Sequence, residues 1–584
     1  MKWKKRAIIS LCFWLTGILL LIGRLMQIQL VSTADYTKHH VNLIEASVEQ
    51  RSQEMIVDNG RGNFLDRRGE LITQQKLPVL ILFPFLNKMD WDVTAVSTIL
   101  GVSKYRIMNE VEKNDKPFAF GEPDPLLLSK AQMEKINALN IQGVFAVEKK
   151  YNLTDYPAEQ LIGIVRENPN ELKRRYPDKE LSNQTLIGVS GMEASFDEFL
   201  LPEGKSKLVY HVDGDGSPLF GINVKYVDPA NPFYPVNIRT TIDTKFQSVA
   251  EKLVDEYEIQ KGGLVLLDIQ DNSVLAMVSR PNINQKDPYN GLGMHNMMLE
   301  RQIVGSVFKT VVAAAAIDYK LDDPNRKFDC NVINGKPDLQ HQYGMLNFTD
   351  SFARSCNNTF GTIARDLKEI DPNILEDYAS RLSLTDKVGW QGDVYHFEEF
   401  KQIKVEEKGQ VFTSEEAKKD KNFVYFSGIG QHEVRTTPLA VANMMATIAR
   451  GGKKEMVRVA SKIEYKDGLT MAEFDKKIIP GETIAPYTAM KLQKLLREVV
   501  TNDNGTGRWF QELPYEVAGK SGTAQTGIMM NDEELHNKWF AGYFPYKNPR
   551  YALVTVNLGV PSNEGGVNPL FADMVKAIYE LENE

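Results

Sequence analysis

The sequence predicts an α+β fold behind one N-terminal membrane helix, and three observations predict it. Residues 7–23 form an apolar run without a charge, and residues 229–235 carry three prolines that divide the rest of the chain. Residues 236–584 place strand-like runs before and after a mostly helical stretch. Helices gathered between two groups of strands are typical of the α+β class, in which helices and an antiparallel sheet form separate layers.

The apolar run at the N-terminus predicts a membrane anchor. It reads AIISLCFWLTGILLLIG, near the lower limit for a helix that spans a bilayer, and its apolar character continues to Val31. Four of the first six residues are basic, which places the N-terminus in the cytoplasm. We predict a cytoplasmic tail over 1–6, a single transmembrane anchor over 7–30 in the cell membrane, and the remaining chain outside.

A cleaved signal peptide is the alternative for this segment. Ser32-Thr33-Ala34 has the small residues of a cleavage site. These residues lie well past the apolar run, however, and the run is long for a signal peptide. The pattern therefore favours an anchor that is retained.

Composition excludes several classes of protein. With 69 Lys and Arg against 77 Asp and Glu the net charge is −8, whereas a dedicated nucleic-acid binder carries a basic excess. The three cysteines, Cys12, Cys330 and Cys356, are too few for a disulfide scaffold or a four-cysteine zinc site. The eight histidines are scattered, and no HExxH zinc helix or dinucleotide fingerprint is present, so no metal or other cofactor is expected.

The chain after the anchor divides into two predicted domains. Residues 31–60 are polar and indicate a stalk, and residues 61–235 mix short β-like runs with charged helical stretches. The proline-rich segment 229–235 marks a linker, because proline interrupts both helices and sheets. We therefore predict a first domain over 31–235 and a second domain over 236–584.

The hydrophobic pattern predicts individual elements of the second domain. Gly262–Asp268 and Ser273–Ser279 are apolar runs around a Gln-Asp-Asn turn, the pattern of a β-hairpin. Residues 395–422 carry many charges and few large apolar side chains, which predicts a solvated insertion. The other predicted elements are strands at Ile238–Ile242, Trp539–Phe544 and Tyr551–Val556, helices at Phe246–Tyr257 and Asn568–Glu580, and a mostly helical stretch over 300–385.

One short motif could supply a nucleophile. Ser306 and Lys309 are three residues apart, on one face of a helix, and the Ala-rich run that follows indicates a buried helix. Burial favours the neutral form of a lysine, which can accept the proton of the serine hydroxyl. Alone the pair is a weak signal, because a chain of this length contains such pairs by chance as surface residues.

Two further motifs accompany this pair. Ser355–Asn357 (Ser-Cys-Asn) offers a hydroxyl for a proton relay and an amide for a substrate carbonyl, although Ser and Asn are also common helix N-caps. Lys520–Thr523 (Lys-Ser-Gly-Thr) precedes a predicted strand and could clamp a substrate carboxylate, with its glycine leaving room for a substrate backbone. The Gly-Lys-Ser here also ends like a phosphate-binding loop, but Pro514 stands where that loop requires glycine.

The three motifs, in this order and spacing, resemble the signature of penicillin-recognising serine enzymes. In an exported, anchored chain the resemblance is to the class B penicillin-binding proteins, the monofunctional transpeptidases of bacterial cell-wall synthesis, and it covers nearly the whole length. Further segments resemble motifs of that family: Arg61–Gly69, Gly188–Glu193 with Phe196 and Leu200, Thr241–Asp243 with Gln247, Leu275–Pro281, Ser427–Gln431 with Thr437–Leu439, and Trp539–Pro545.

The resemblance implies a fold and a reaction. The second domain would be a transpeptidase domain, an antiparallel sheet with helices on both sides and a buried catalytic helix, and the first an elongated α+β pedestal or dimerisation domain. The reaction would cross-link peptidoglycan stem peptides through a serine ester, which β-lactams block. The implied partners are these stem peptides, β-lactams and a membrane-embedded glycan polymerase, without nucleic acid; the oligomeric state stays open.

The resemblance also assigns catalytic roles, residue by residue. Ser306 would attack the carbonyl of a D-Ala–D-Ala stem peptide, and Lys309 would take its proton. Ser355 and Lys520 would relay that proton to the leaving D-Ala, while Asn357 would hold the substrate's peptide carbonyl. An amine of a neighbouring stem peptide would then resolve the ester.

Substrate binding is implied for the third motif. Ser521, Gly522 and Thr523 would bind the substrate and its terminal carboxylate. The backbone N–H groups of Ser306 and Thr523 would form the oxyanion hole, usually a large contribution in acyl transfer.

Two positions depart from the family pattern. Val304 stands where the family has proline before the Gly of the nucleophile turn, which could relax that turn without removing a reacting group. The middle residue of Ser-x-Asn is Cys356. An exported location permits a disulfide with Cys330, and the spacing alone leaves open whether it forms.

Related proteins share these motifs and stay as alternatives. A β-lactamase hydrolyses its acyl-enzyme and rarely carries an anchor and a pedestal, and a D,D-carboxypeptidase passes the acyl group to water. A scaffold or β-lactam sensor keeps the pocket without turnover, and Val304 is the only sequence feature in its favour. All the reactive residues are present, which favours an enzyme, although motifs show competence rather than use.

Overall fold

The structure is a computed structural model that describes residues 2–31, 51–179, 181–213, 224–229, 231–339 and 341–583. Most of the predicted stalk, residues 32–50, lies outside the described residues. Its last part contains the strand Ser52–Asp58.

A continuous helix occupies the N-terminus. It is α-helical over Lys2–Met26 and closes with a π-helical turn, Gln27–Val31. The segment Trp3–Leu30 is long and apolar enough to cross a membrane, and it is not buried against the rest of the protein. The predicted apolar helix is therefore confirmed, and its orientation in a membrane stays a prediction.

The chain forms two compact units, each assembled from separate segments. The first takes Met1–Gly60, Gln75–Tyr151 and Glu203–Asn231, and the second takes Arg61–Gln74, Asn152–Pro202 and Pro232–Glu584. The two units thus alternate along the chain, whereas the predicted boundary near residue 235 divides it once. A separate function for each side of that boundary stays a prediction.

The first unit contains two small sheets. The strands Ser52–Asp58, Ser206–His211 and Lys225–Val227 form one sheet, and Gln74–Leu82, Phe118–Ala119 and Val144–Asn152 form the other. The helices Val93–Leu100, Lys104–Lys113 and Lys130–Ala138 share an apolar core with the second sheet. Ser103 and Ser129 accept hydrogen bonds from the first turns of the last two helices, which explains where these helices begin.

A buried ion cluster joins two of the family-like segments within the second unit. Arg61 Nη2 lies 2.5 Å from Glu193 Oε2 and 2.9 Å from Asp197 Oδ1, and all three side chains are buried. Asp197 also accepts a hydrogen bond from the Tyr176 hydroxyl. The short elements around the cluster are strands Asn63–Leu65, Val165–Glu167 and Leu186–Gly188 and helices Glu159–Ile162, Pro169–Arg175, Gly191–Ser195 and Asp197–Leu200.

A five-stranded antiparallel sheet forms the centre of the second unit. Its strands are β1 (Gly262–Asp268), β2 (Ser273–Arg280), β3 (Ala518–Met530), β4 (Glu533–Phe544) and β5 (Tyr551–Val560), in the order β2-β1-β5-β4-β3. Side chains alternate across a strand, so Leu264 and Leu266 enter one core while Val265 and Leu267 enter the other. The predicted β1–β2 hairpin is confirmed, and β3, which contains the Lys-Ser-Gly-Thr motif, is an edge strand.

Helices cover both faces of this sheet. They are α1 (Thr244–Glu256), α2 (Lys309–Asp318), α3 (Phe348–Ala353), α4 (Asn357–Ile370), α5 (Pro438–Ala449), α6 (Pro486–Thr501) and α7 (Asn568–Asn583). α1 and α7 share the core on one face, and α2 to α6 share the core on the other. α2 is buried from Lys309 to Ile317, as its Ala-rich sequence predicts.

Smaller elements complete the second unit. The strands are Asn237–Thr240, Gln302–Ile303, Phe328–Asp329, Val332–Ile333, Lys336–Pro337, Met345–Leu346, Gln391–Val394, Phe397–Lys401, Arg435–Thr436, Ala460–Glu464 and Thr470–Glu473. The helices are Ile374–Arg381, Glu415–Lys419 and Lys421–Gly428.

The predicted insertion over 395–422 is only partly exposed. Gln402 is fully buried, where its amide bonds the backbone of Val459 and Ala460. Glu406 is also buried and accepts hydrogen bonds from two backbone N–H groups, and burial raises its pKa to about 7. The prediction of a solvated insertion is wrong for these residues, because a hydrophobic pattern does not recognise polar side chains that are buried against backbone groups.

The structure settles the question that the cysteine spacing left open. Cys330 and Cys356 form a disulfide, and both residues are buried. Cys12 is free and exposed on the N-terminal helix.

Candidate active site

Ser306 lies in a short 3₁₀ turn that begins at Gly305 and continues into α2. Two elements fix the entrance to this turn. The N–H of Gly305 donates to Gly430 O over 2.9 Å, and the buried Trp539 of β4 donates its indole N–H to Ile303 O over 3.1 Å. The sheet and the Ser427–Gln431 segment therefore hold the turn that carries Ser306 from two sides.

The turn and strand β3 approach each other backbone to backbone. A β-carbon on Gly305 would lie 2.4 Å from Thr523 O, and one on Gly522 would lie 2.9 Å from both Val304 O and Val307 Cγ2. Gly522 thus makes room for the turn that carries Ser306, and room for a substrate backbone beside it stays a prediction. Val304 is buried with φ −97°, outside the range near −65° that the family's proline would impose.

Lys309 is fully buried and turns its amine toward the Ser-x-Asn motif. Its Nζ donates to Ser355 O and to Asn357 Oδ1, each over 2.7 Å, and lies 3.1 Å from Ser355 Oγ. Burial lowers the pKa of Lys309 well below its ordinary value, the charge of Lys520 lowers it further, and Asp338 opposes both. Three oxygens, Ser355 O, Ser355 Oγ and Asn357 Oδ1, thus hold the amine in one orientation.

Ser355 occupies a strained position at the end of α3. The N–H of Ser355 donates to Phe352 O and the N–H of Cys356 to Ser351 O, which together form a Schellman motif. The C′ residue of this motif is left-handed and usually glycine, and here it is Ser355, with φ +61°. The turn directs Ser355 O at Lys309, and Ser355 does not cap α4, so the alternative interpretation of this motif as an N-cap does not hold.

Lys520 approaches the same serine from β3. Its Nζ donates to Ser355 Oγ over 2.9 Å and to Ser521 O over 3.2 Å, and its side chain is fully buried. Burial lowers the pKa of Lys520 to about 7. The Ser355 hydroxyl therefore lies between two lysine amines, both of which lose a proton more readily than an exposed lysine does.

These groups border a cleft of about 630 Å³. Five of the predicted site residues line it, namely Ser306, Ser355, Asn357, Ser521 and Thr523, whereas Lys309 and Lys520 are buried behind its wall. Ser306 is not among the hydrogen-bond partners of Lys309 within the described residues. The three motifs, which are far apart in sequence, thus meet at one cleft.

Sequence reasoning missed three residues at this cleft. The Thr506 hydroxyl accepts a hydrogen bond from Ser521 Oγ over 2.8 Å, and its only sequence signal is its place between two glycines. Gln431 accepts from the N–H of Gln525 and lies at the edge of β3; it belongs to a segment that already resembled a family motif. Asp338 lines the cleft, and no pattern around it indicated this position.

Comparisons with known proteins show the family and the fold. A family model described as "Penicillin binding protein transpeptidase domain" matches residues 262–576, more than half of the chain, and one described as "Penicillin-binding Protein dimerisation domain" matches residues 56–231. A solved structure described as "Structural coordination of polymerization and crosslinking by a peptidoglycan synthase complex" covers 98% of this chain and 98% of its own, with a TM-score of 0.66 and 20% identity, which shows the fold.

Curated relatives match at moderate identity. Peptidoglycan D,D-transpeptidase MrdA of Haemophilus influenzae is 26% identical over 383 residues, 59% of this chain and 56% of that protein. Penicillin-binding protein H of Bacillus subtilis is 23% identical over 518 residues, 81% of this chain and 68% of that protein. Peptidoglycan D,D-transpeptidase FtsI of Buchnera aphidicola is 25% identical over 473 residues, 76% of this chain and 72% of that protein. The chain belongs to the class B penicillin-binding proteins, the membrane-anchored transpeptidases of bacterial cell-wall synthesis.

Proposed function

We propose that this protein cross-links peptidoglycan stem peptides as a serine-type D,D-transpeptidase, through an ester on Ser306. One observation carries the proposal: two buried lysines, Lys309 and Lys520, converge on the hydroxyl of Ser355 at the wall of the cleft that Ser306 lines. Nucleophilic catalysis by serine needs a base that takes the hydroxyl proton, and burial lowers the pKa of Lys309 in the direction that favours its neutral form.

Acylation begins with attack of Ser306 Oγ on the penultimate carbonyl of a D-Ala–D-Ala stem peptide. The proton of the hydroxyl passes to Lys309, whose Nζ is held by Ser355 O, Ser355 Oγ and Asn357 Oδ1 and in its neutral form would turn its lone pair to Ser306. The contact between Lys309 and Ser306 would tighten when substrate binds, as catalytic contacts commonly do.

The leaving D-Ala receives a proton through Ser355, with Lys520 as the second member of the relay. Asn357 uses Oδ1 for Lys309, which leaves its N–H groups for the substrate's peptide carbonyl. Ser521, supported by Thr506, and Thr523 bind the terminal carboxylate. Backbone N–H groups of Ser306 and Thr523 stabilise the oxyanion.

An amine from a neighbouring stem peptide then attacks the ester and releases Ser306, which completes the cross-link. β-Lactams present a similar carbonyl and carboxylate and would leave a long-lived ester on the same serine. The N-terminal helix would hold the enzyme at the plasma membrane, with the N-terminus cytoplasmic and the cleft on the outer face. A membrane-embedded glycan polymerase is the proposed partner there.

The test is intact-mass spectrometry of the detergent-solubilised full chain after benzylpenicillin, beside Ser306→Ala. The expected result is one stable adduct on Ser306 that the variant lacks. Turnover of a stem-peptide thioester, with water or an amine as acceptor, then separates the reactions. Aminolysis supports a transpeptidase, hydrolysis alone indicates a carboxypeptidase, and release of ring-opened penicillin indicates a β-lactamase. A folded protein without adduct contradicts the proposal and favours a scaffold.

A further inference from the structure

The disulfide ends inside the Ser-x-Asn motif. Cys356 is the residue between Ser355 and Asn357, so the covalent bond to Cys330 reaches the backbone that carries both of these side chains. Both residues hydrogen-bond Lys309, and Ser355 also hydrogen-bonds Lys520. The bridge is therefore one residue away from every hydrogen bond that orients the two lysine amines toward this motif.

The turn that the bridge reaches is strained. Ser355 holds a left-handed conformation that is unfavourable for a residue with a β-carbon. Cys356 is the N-cap of α4, a position where Ser, Thr, Asp or Asn usually bonds the first turn, and its side chain makes no such bond. The sequence thus places a strained residue beside an uncapped helix start, and a covalent bond is the strongest tie at this point.

The other end of the bridge is well anchored. The N–H of Cys330 donates to Gly344 O over 2.8 Å, next to the paired strands Phe328–Asp329 and Met345–Leu346. Asn358, in the first turn of α4, donates its side-chain N–H to Asp329 O over 3.0 Å. A small hairpin and the start of α4 are therefore joined by a hydrogen bond and by the disulfide.

We propose that the Cys330–Cys356 disulfide is a positioning element of the active site, which holds Ser355 and Asn357 where they accept the hydrogen bonds of Lys309 and Lys520. This inference rests on the proposed function, because it concerns the same acylation step. Without the bridge the strained turn relaxes, Lys309 loses acceptors, and water reaches its amine.

Loss of the disulfide should raise the pKa of Lys309. Desolvation is the largest cause of its lowered pKa, so access of water raises that pKa toward the ordinary lysine value. The charged and aromatic groups that face the amine are Lys520 from β3, Asp338 from the loop before α3 and the ring of Phe360 from α4, whose centroid lies 5.9 Å away. None of these is removed with the disulfide, so solvation decides the direction.

The experiment measures the rate constant for acylation by benzylpenicillin from pH 6 to pH 10, with the detergent-solubilised full chain. Cys330→Ser, Cys356→Ser and the double variant should acylate at least about tenfold more slowly than wild type at pH 7 and recover most of the rate at alkaline pH, since one pKa unit changes the neutral fraction tenfold. The double variant should resemble the single variants, because each removes the same bond. Met574→Ala, a buried change on α7 across the sheet, is the control for general loss of stability.

Wild-type rates and pH profile in the cysteine variants would show that the bridge only stabilises the fold, and would overturn the inference. A decrease in the acylation rate constant that is equal at every pH would overturn the inference as well. If these variants do not fold, the wild type is treated with dithiothreitol and its thiols are counted by alkylation, with one expected before reduction and three after it. Reduced protein that keeps the wild-type rate also refutes the positioning role. Failure of wild type to acylate would instead contradict the proposed function.

Discussion

Gly305 and Gly430 touch through their backbones: the Gly305 N–H donates to Gly430 O over 2.9 Å, and a β-carbon on Gly430 would lie 1.9 Å from Gly305 O. Ser306 follows directly, so its position depends on a contact that only glycine permits. The Ser427–Gln431 segment, which resembles a family motif in sequence, therefore holds the turn that carries Ser306.

Gly430→Ala should displace the nucleophile turn and lower the rate of acylation by benzylpenicillin about 100-fold, because a shift of about 1 Å at a reacting group can cost that factor. The matched control is Gly451→Ala. Gly451 also has a positive φ, +74°, but no atom of the described residues lies within 4 Å of the place that a β-carbon would take. It carries the same backbone penalty without the clash, and equal rates in the two variants would contradict the prediction.

Two substitutions of Ser355 should distinguish the role of its hydroxyl in acylation from the cost of its left-handed backbone. Ser355→Gly and Ser355→Ala both remove the hydroxyl between Lys309 and Lys520, so both should acylate at least about 100-fold more slowly, in the range expected for a lost proton-transfer group. Glycine adopts φ +61° without strain. The free energy of unfolding, measured in urea, should therefore be about 1 kcal/mol higher for Ser355→Gly than for Ser355→Ala. Alanine as the more stable of the two would disprove strain at this position.

Burial of Lys520 should make stability depend on pH. Its folded pKa is about 7 and its ordinary value is 10.5, so between these values the unfolded chain binds a proton that the folded chain lacks. The free energy of unfolding therefore rises with pH in this window, and below pH 7 the full cost of burying the charge remains. The free energy of unfolding, measured in urea, should increase from pH 7 to pH 9 in wild type. This increase should be about 2–3 kcal/mol larger than the increase in Lys520→Met. Lys576→Met, on an exposed part of α7, should retain the wild-type rise.

The buried ion cluster at Arg61 predicts a large loss on truncation. Arg61→Ala leaves Glu193 and Asp197 buried without their shared cation, and such a change costs about 3–5 kcal/mol in the free energy of unfolding. Arg174→Ala is the control, because Arg174 pairs with Glu171 at the surface and exposed pairs contribute little. Similar urea midpoints for the two variants would refute the assignment.

The sequence predicted much of this architecture, for identifiable reasons. The β1–β2 hairpin and the buried α2 were predictable because their apolar runs and turn residues are local signals. The hydrogen-bond partners of Lys309 were not, because Ser355 and Asn357 lie 46 and 48 residues away and a fold is needed to bring them together.

Buried polar groups set a second limit on prediction. Gln402 and Glu406 look like surface residues in sequence, and only backbone groups from distant segments account for their burial. The disulfide is similar, since spacing permits it and only the approach of the small hairpin to α4 brings the two cysteines together.

The pairing of β1 with β5 has a consequence for biogenesis. Leu264 pairs with Thr555 and Val265 with Val554, so the first and last strands of the catalytic sheet are neighbours. Pairing between such distant segments forms slowly, because the entropy of closing a long loop is lost before any stabilising contact forms. During synthesis, the Ser306–Lys309 motif thus precedes β3 and Lys520, which complete the wall of the cleft, by about 200 residues. A chain truncated before β3 therefore lacks Lys520 and the cleft-lining residues Ser521 and Thr523.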